Sequence, residues 1–361
     1  MKKKTLFFFI YSHTKIKHDY NRFKISLLKK KFNVKFIVFP KKFRNIIDKI
    51  KKKDHYFLNN LTDFYLLLKN NNKVSYVLDF IPNNDRFINF KKKLLKNKKL
   101  FFIKYETGLI PEDNKRFSFL YKIKNKIRNL NYSFKNYLYL ISGLKSYYIN
   151  KNLRSIPTWS CDYNEYLNYI SSINYKKKKK NQTKYSVFID EMIPDHPDIK
   201  LLKLKKISTV KKYYKNIGNF LSILEIFLGH NIKILLHPAA TSNFYPKKFE
   251  VVQHKTCSEI AKSKNVFLHG STSVSYAVLF KKNIVYLTCK KLLWMEKRIK
   301  YFQSYTGGQI LNMSAKVNKK EFLKNLKFNK EKYRKYVDNF IKHPKAKFSF
   351  DKLIMNIENL K

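Results

Sequence analysis

Two short loops in this chain carry residue types that can handle a phosphate. The first is His237-Pro238, directly after the apolar run Ile232–Leu236. The second is His269-Gly270-Ser271-Thr272-Ser273, after Val266–Leu268 and directly before a helical stretch, Val274–Phe280. Hydroxyls and free backbone N–H groups at a helix start, behind a strand and a glycine, form an anion site. An imidazole facing such a site gives a proton or positive charge to a departing phosphate oxygen. Each loop also has a plainer use. A single Ser or Thr serves as an N-cap worth about 1 kcal/mol, and a strand-end histidine can be a hydrogen-bonding residue only. Three hydroxyl residues in a row exceed what a cap needs, and the pair of loops is more specific than either alone.

The elements that must position these loops follow one rhythm. Ile232–Leu236, Val266–Leu268 and Ile284–Leu287 are short apolar runs separated by helix-like segments, the pattern of parallel strand–helix–strand units. Open sheets of that kind hold ligands at the carboxyl ends of their strands. The same alternation begins at Thr5–Tyr11 and continues through Val34–Phe39, Val74–Phe80 and Leu100–Lys104. Helices are expected near 22–31, 43–52, 61–69 and 86–96, and the aromatic, basic stretch Phe117–Tyr148 reads as one or two more. Between Pro157 and Lys184 the rhythm breaks, and YKKKKKNQTK is a solvated, self-repelling run. A second unit starts at Tyr185–Ile189, followed by a helix over Val210–Gly229 and by closing helices over Glu331–Ile341 and Asp351–Leu360. The expected organisation is therefore α/β: a Rossmann-like domain over 1–158, a linker over 159–184, and a second Rossmann-like domain over 185–361. A cleft between the two is the expected ligand site.

Charged residues beside strand ends add candidates. Asp190, Glu191 and His196 follow the first strand of the second unit, where they orient His237, touch a nucleotide, or build a turn. His13, Asp19 and Arg22 flank the loop after the first strand and are candidate acceptor contacts.

Composition bounds the partners. At 361 residues and 44% hydrophobic the chain can bury two cores. A net charge of +54 brings nucleic acid or an anionic membrane to mind. The excess is nearly all Lys, with abundant Asn, Ile, Phe and Tyr and only 7 Gly and 9 Pro, the signature of an A+T-rich coding sequence. Base and phosphate readers favour Arg, so no specific nucleic acid is expected. Lysines near an anionic leaflet still gain about 1 kcal/mol each, which allows peripheral membrane attachment. Cys161, Cys257 and Cys289 are scattered and suit a reducing cytosol without a disulfide framework or zinc motif. The N-terminal Lys run and Leu6–Tyr11 read as a first strand rather than a signal peptide, and the expected location is cytoplasmic.

The order and interval of His237-Pro238 and Ser271-Thr272-Ser273 resemble the HP and S-S/T motifs of bacterial sialyltransferases, polysialyltransferases and Kdo-type transferases. That group has a GT-B architecture, two Rossmann-like domains facing across a cleft. The resemblance implies that His237, Pro238, His269, Gly270, Ser271, Thr272 and Ser273 bind the nucleotide of a CMP-sugar donor, and that His237 assists departure of the phosphate. It also implies a carboxylate base in the N-terminal domain, in an acidic-acidic-Gly motif. Here the pattern departs. Tyr105-Glu106-Thr107-Gly108 has one acid in the expected domain, whereas Asp190-Glu191-Met192 has two acids, no Gly and lies in the other domain. Glu106 is the preferred base, with Gly108 allowing close approach of a sugar. The implied activity is metal-independent, inverting transfer of a sialic-acid-like or Kdo-like sugar to a cell-surface glycan or glycolipid, with no cofactor. The alternatives are a polyol-phosphate transferase or nucleotide-sugar epimerase of the same architecture, and, from another class, a basic nucleic-acid-binding protein.

Overall fold

In a computed structural model the described residues are 3–11, 23–39, 55–57, 75–80, 91–92, 94–106, 137–149, 153–172, 185–195, 209–238, 240, 242–289 and 292–360. They divide into two compact units, one of residues 1–108, 115–161 and 342–361, the other of 109–114 and 162–341.

The first unit is a seven-stranded parallel sheet: β1 (Lys4–Tyr11), β2 (Phe32–Phe39), β3 (His55–Phe57), β4 (Ser75–Asp79), β5 (Leu100–Glu106), β6 (Tyr137–Ser142) and β7 (Ser155–Thr158). Their order is β3-β2-β1-β4-β5-β6-β7. Every residue of β4 and β6 is buried, as a sheet covered on both faces requires. Helix α1 (Ile25–Lys31) buries Ile25 and Leu28, and α2 (Leu144–Ile149) follows β6. β6 corrects the expectation of helix over Phe117–Tyr148. A short run that is apolar throughout carries no period, so strand and buried helix look alike in sequence.

The final segment belongs to this unit. Phe350, Leu353, Ile354 and Ile357 join Leu6, Phe8, Phe36 and Tyr105 in its core, and the Tyr105 and Phe350 rings stack at 4.4 Å. The expected second domain over 185–361 is thus corrected at its end, where residues 342–361 return to the first unit. The expected linker is corrected too, since its start is the helix α3 (Cys161–Ser171). The lysine run at 176–180 and the helices expected near 43–52 and 61–69 lie outside the described residues.

The second unit holds a six-stranded parallel sheet of β8 (Ser186–Ile189), β9 (Ile232–Leu236), β10 (Val251–Gln253), β11 (Asn265–Leu268), β12 (Asn283–Thr288) and β13 (Gln309–Asn312), ordered β10-β9-β8-β11-β12-β13. Between β8 and β9 runs α4 (Val210–Leu228). Thr209 caps its start through the Lys212 N–H, and Gly229, at φ 65°, ends it in the left-handed region. Its buried face is Tyr213, Tyr214, Ile217, Gly218, Phe220, Leu221 and Leu224, a 3–4 spacing. The other helices are α5 (Thr256–Lys262), α6 (Val274–Leu279), α7 (Leu293–Thr306), α8 (Lys319–Lys324) and α9 (Lys330–Tyr336). Strand order runs one way from β8 to β9 and the other way from β11 to β13, so right-handed crossovers put α4 on one face and α6 and α7 on the opposite one. No helix among the described residues is long and apolar enough to cross a membrane.

Candidate active site at the β8–β11 switch point

β8 and β11 are hydrogen-bonded neighbours from which the chain departs in opposite directions, the place where open α/β sheets open a crevice. In register, Ile189 pairs with Leu235 of β9 and Phe188 with Phe267 of β11. Carried past the strand ends, that register sets Glu191 level with His237 on one side and Gly270 on the other. Both sequence-flagged loops of this unit therefore leave the sheet at one edge, with the Asp190-Glu191 pair between them.

Asp190 anchors the first loop. It is 1% exposed, and its Oδ1 accepts from the Met192 N–H at 3.1 Å and the Tyr245 hydroxyl at 3.0 Å. The His237 N–H also favours the charged carboxylate, whose Oδ2 is buried without a hydrogen-bond partner among the described residues. Burial raises the Asp190 pKa to about 6 against the pull of those three donors. Met192 pays for this turn with a φ of 51°, unusual for a non-glycine residue. Tyr245 reaches Asp190 because its loop sits tightly on α4. A Cβ on Gly218 would lie 2.9 Å from the Pro246 ring. Gln253 closes the turn, its Nε2 donating to the carbonyls of His237 (3.0 Å) and Ala240 (2.9 Å). His237 and Pro238 themselves are half-buried.

Glu191 anchors the second loop. Its Oε1 accepts from the backbone N–H of His269 at 2.9 Å and of Gly270 at 2.7 Å. Burial lifts its pKa to about 7, while the Arg298 guanidinium on α7 and the two N–H groups oppose the rise and Asp190 adds to it. Gly270 packs against the same arginine, since a Cβ there would meet Arg298 Cδ at 3.3 Å. The Arg298 Nε is buried with no acceptor among the described residues, an uncommon and costly condition for a donor.

His269 departs from expectation. Its side chain is fully buried, with Nδ1 2.6 Å from the Leu287 carbonyl and Nε2 3.1 Å from the Tyr213 hydroxyl. A carbonyl only accepts, so Nδ1 carries the proton and Nε2 receives the phenol. Burial lowers the pKa to about 4, which keeps the ring neutral. The imidazole is a core strut, and the expectation that it touches the donor is corrected. Ser271, Thr272 and Ser273 remain at the edge, with Thr272 exposed. Ser273 opens α6 without a side-chain capping bond, so the capping alternative is not how its hydroxyl is used. The Ser271 hydroxyl accepts from the Ser273 N–H at 3.2 Å.

Glu106 is the last residue of β5, at the carboxyl edge of the first sheet. Its side chain, and Gly108, His13, Asp19, Arg22 and His196, lie outside the described residues. Sequence reasoning missed Arg298, Tyr245 and Gln253. The one available signal was an arginine, scarce in this lysine-rich chain, on a helix shortly after the hydroxyl-rich loop.

No family model and no curated protein sequence matches the chain. Solved structures do. The wall teichoic acid polymerase TagF aligns over 99% of this chain and 88% of its own, at 13% identity and a TM-score of 0.56. MurG of Acinetobacter baumannii aligns over 99% and 100%, at 8% identity and 0.52. The complex of S. aureus MnaA with UDP aligns over 99% and 95%, at 12% identity and 0.52. The fold is GT-B. Identities this low convey architecture, and within this GT-B chain the chemistry rests on its own edge residues.

Proposed function

We propose that this GT-B chain is a glycosyltransferase that moves a sugar from a nucleotide donor to a surface-glycan or glycolipid acceptor. The donor is a CMP-linked acidic sugar of sialic-acid or Kdo type. The observation that carries this reading is the shared edge at the β8–β11 switch point, where Asp190 fixes the His237 loop and Glu191 fixes the Gly270–Ser273 loop.

The donor phosphate sits against the hydroxyls of Thr272 and Ser273, with the acceptor-less Nε–H of Arg298 nearby in the second rank. His237 supplies charge or a proton as the sugar–phosphate bond breaks through an oxocarbenium-like state. The reading is of a metal-independent reaction, in which these groups rather than a divalent cation stabilise the departing phosphate. Glu106 of the first unit takes the proton of the attacking hydroxyl, and direct attack inverts the anomeric centre. The protein works in the cytoplasm at the inner face of the membrane, where lipid-linked acceptors are exposed.

A polyol-phosphate transferase is the second reading, favoured by the likeness to a wall teichoic acid polymerase. The same loops would then hold a CDP-polyol. Incubation with CMP-, CDP- and UDP-linked donors, reading which free nucleotide appears, separates the two. With the true donor, His237→Ala should lose about 10²–10³ in turnover and keep its circular-dichroism spectrum. Full activity in that variant overturns the site, and unchanged turnover in Glu106→Gln removes Glu106 as base.

A further inference from the structure

We infer that the C-terminal end of α4, together with α8, is a docking surface for an anionic lipid bilayer. The outward stripe of α4 is polar at its start and apolar at its end, where Ile223 is 45% and Ile226 73% exposed. That end rests on α8 through the Phe227 and Phe322 rings, 6.3 Å apart. Leu323, next to Phe322, is 41% exposed. Aliphatic side chains thus protrude on either side of a buried aromatic contact, on the face of the sheet opposite α6 and α7.

Charge surrounds them. Residues 316–330 hold six lysines against one acid, Glu321. Lys319, Lys320 and Lys324 are exposed, and none pairs with a carboxylate among the described residues. Protruding aliphatics ringed by lysine suit a bilayer, where the apolar tips enter the acyl boundary and the ammonium groups meet anionic headgroups. A nucleic acid would gain from the lysines and little from Ile223, Ile226 and Leu323, because bases reward aromatic or arginine stacking, and the one exposed aromatic of the lysine segment, Phe328, is packed against Tyr333. The inference needs no donor and stands apart from the reading of the catalytic edge.

The test is co-sedimentation of the full chain with vesicles of phosphatidylcholine, alone or with about 30 mol% phosphatidylglycerol, near physiological salt. Wild type should bind the anionic vesicles and not the neutral ones. Lys319→Glu with Lys320→Glu should weaken binding at least about 25-fold, about fivefold per lysine. Ile226→Ser with Leu323→Ser should weaken it at least about tenfold while leaving the net charge unchanged. Lys297→Glu with Lys300→Glu on α7 should bind as wild type. All sites are exposed, and circular dichroism confirms folding. No wild-type binding, equal losses in the α7 control, or full binding by the aliphatic variant overturns the assignment. Competition by an oligonucleotide that survives in the aliphatic variant does so too, by making the surface a purely coulombic one.

Discussion

Glu191 should make the fold more stable when its charge is removed. Its pKa rises from 4.5 to about 7 because its burial outweighs Arg298 and the two loop N–H groups. The folded state therefore binds the proton more tightly than the unfolded chain. That extra stability is fully present below about pH 4.5 and is lost as pH rises through 7. A rise from 4.5 to about 7 is worth about 3 kcal/mol. Glu191→Gln keeps an Oε1 acceptor for His269 and Gly270 but cannot ionise. At pH 8 the variant should gain about 2 kcal/mol over wild type, after about 1 kcal/mol for weaker acceptance of the two N–H groups. At pH 4 that gain should vanish or reverse. The assay is the second unit's calorimetric transition in the full chain from pH 4 to pH 8, where 2 kcal/mol moves the midpoint by about 4–8 °C. Taking the variant-minus-wild-type difference cancels every titrating group that does not interact with Glu191, which leaves its neighbour Asp190 as the coupled one. A variant less stable by the same amount at every pH would refute the reasoning, because the carboxylate would then be a net stabiliser through Arg298. A carboxylate that costs stability at neutral pH is what a site shaped for binding, rather than for packing, retains.

Two further perturbations test the framework. In the first unit Asp79 and Lys91 are each 1% exposed and meet at 2.6 Å, with the Tyr137 hydroxyl donating to Asp79 at 3.0 Å. Asp79→Asn strands a buried ammonium and should cost about 3–5 kcal/mol in urea unfolding, whereas Asp79→Leu with Lys91→Met should recover most of it. Gly308 directly precedes β13 and has no room for a side chain, since a Cβ would lie 2.7 Å from the Ile284 carbonyl and 2.9 Å from the Tyr286 ring. Gly308→Ala should cost about 1–3 kcal/mol, and a neutral result would mean that the β12–β13 edge yields easily.

The amino-acid sequence by itself determined the parallel α/β character and the strands that carry the loops. Val266–Leu268 is apolar without interruption and buried on both faces, and Ile232–Leu236 is apolar but for the half-buried Lys233. The Val210–Leu228 helix was legible from its 3–4 spacing and terminal glycine. The strands at 55–57, 137–142, 155–158, 251–253 and 309–312 escaped because they are too short, or too uniformly apolar, to show a period. The return of residues 342–361 to the first unit leaves no local trace, for it is decided by which core lacks Phe350 and Ile354. The two histidines make the same point at the site. His237 and His269 both follow a strand and look equivalent in sequence. Tertiary structure separates them, because Tyr213 and the Leu287 carbonyl draw one ring into the core, while Asp190 and Gln253 hold the other's backbone at the rim. Likewise nothing local to Asp190-Glu191 says which loops it serves; the register of β8 between β9 and β11 assigns one carboxylate to each.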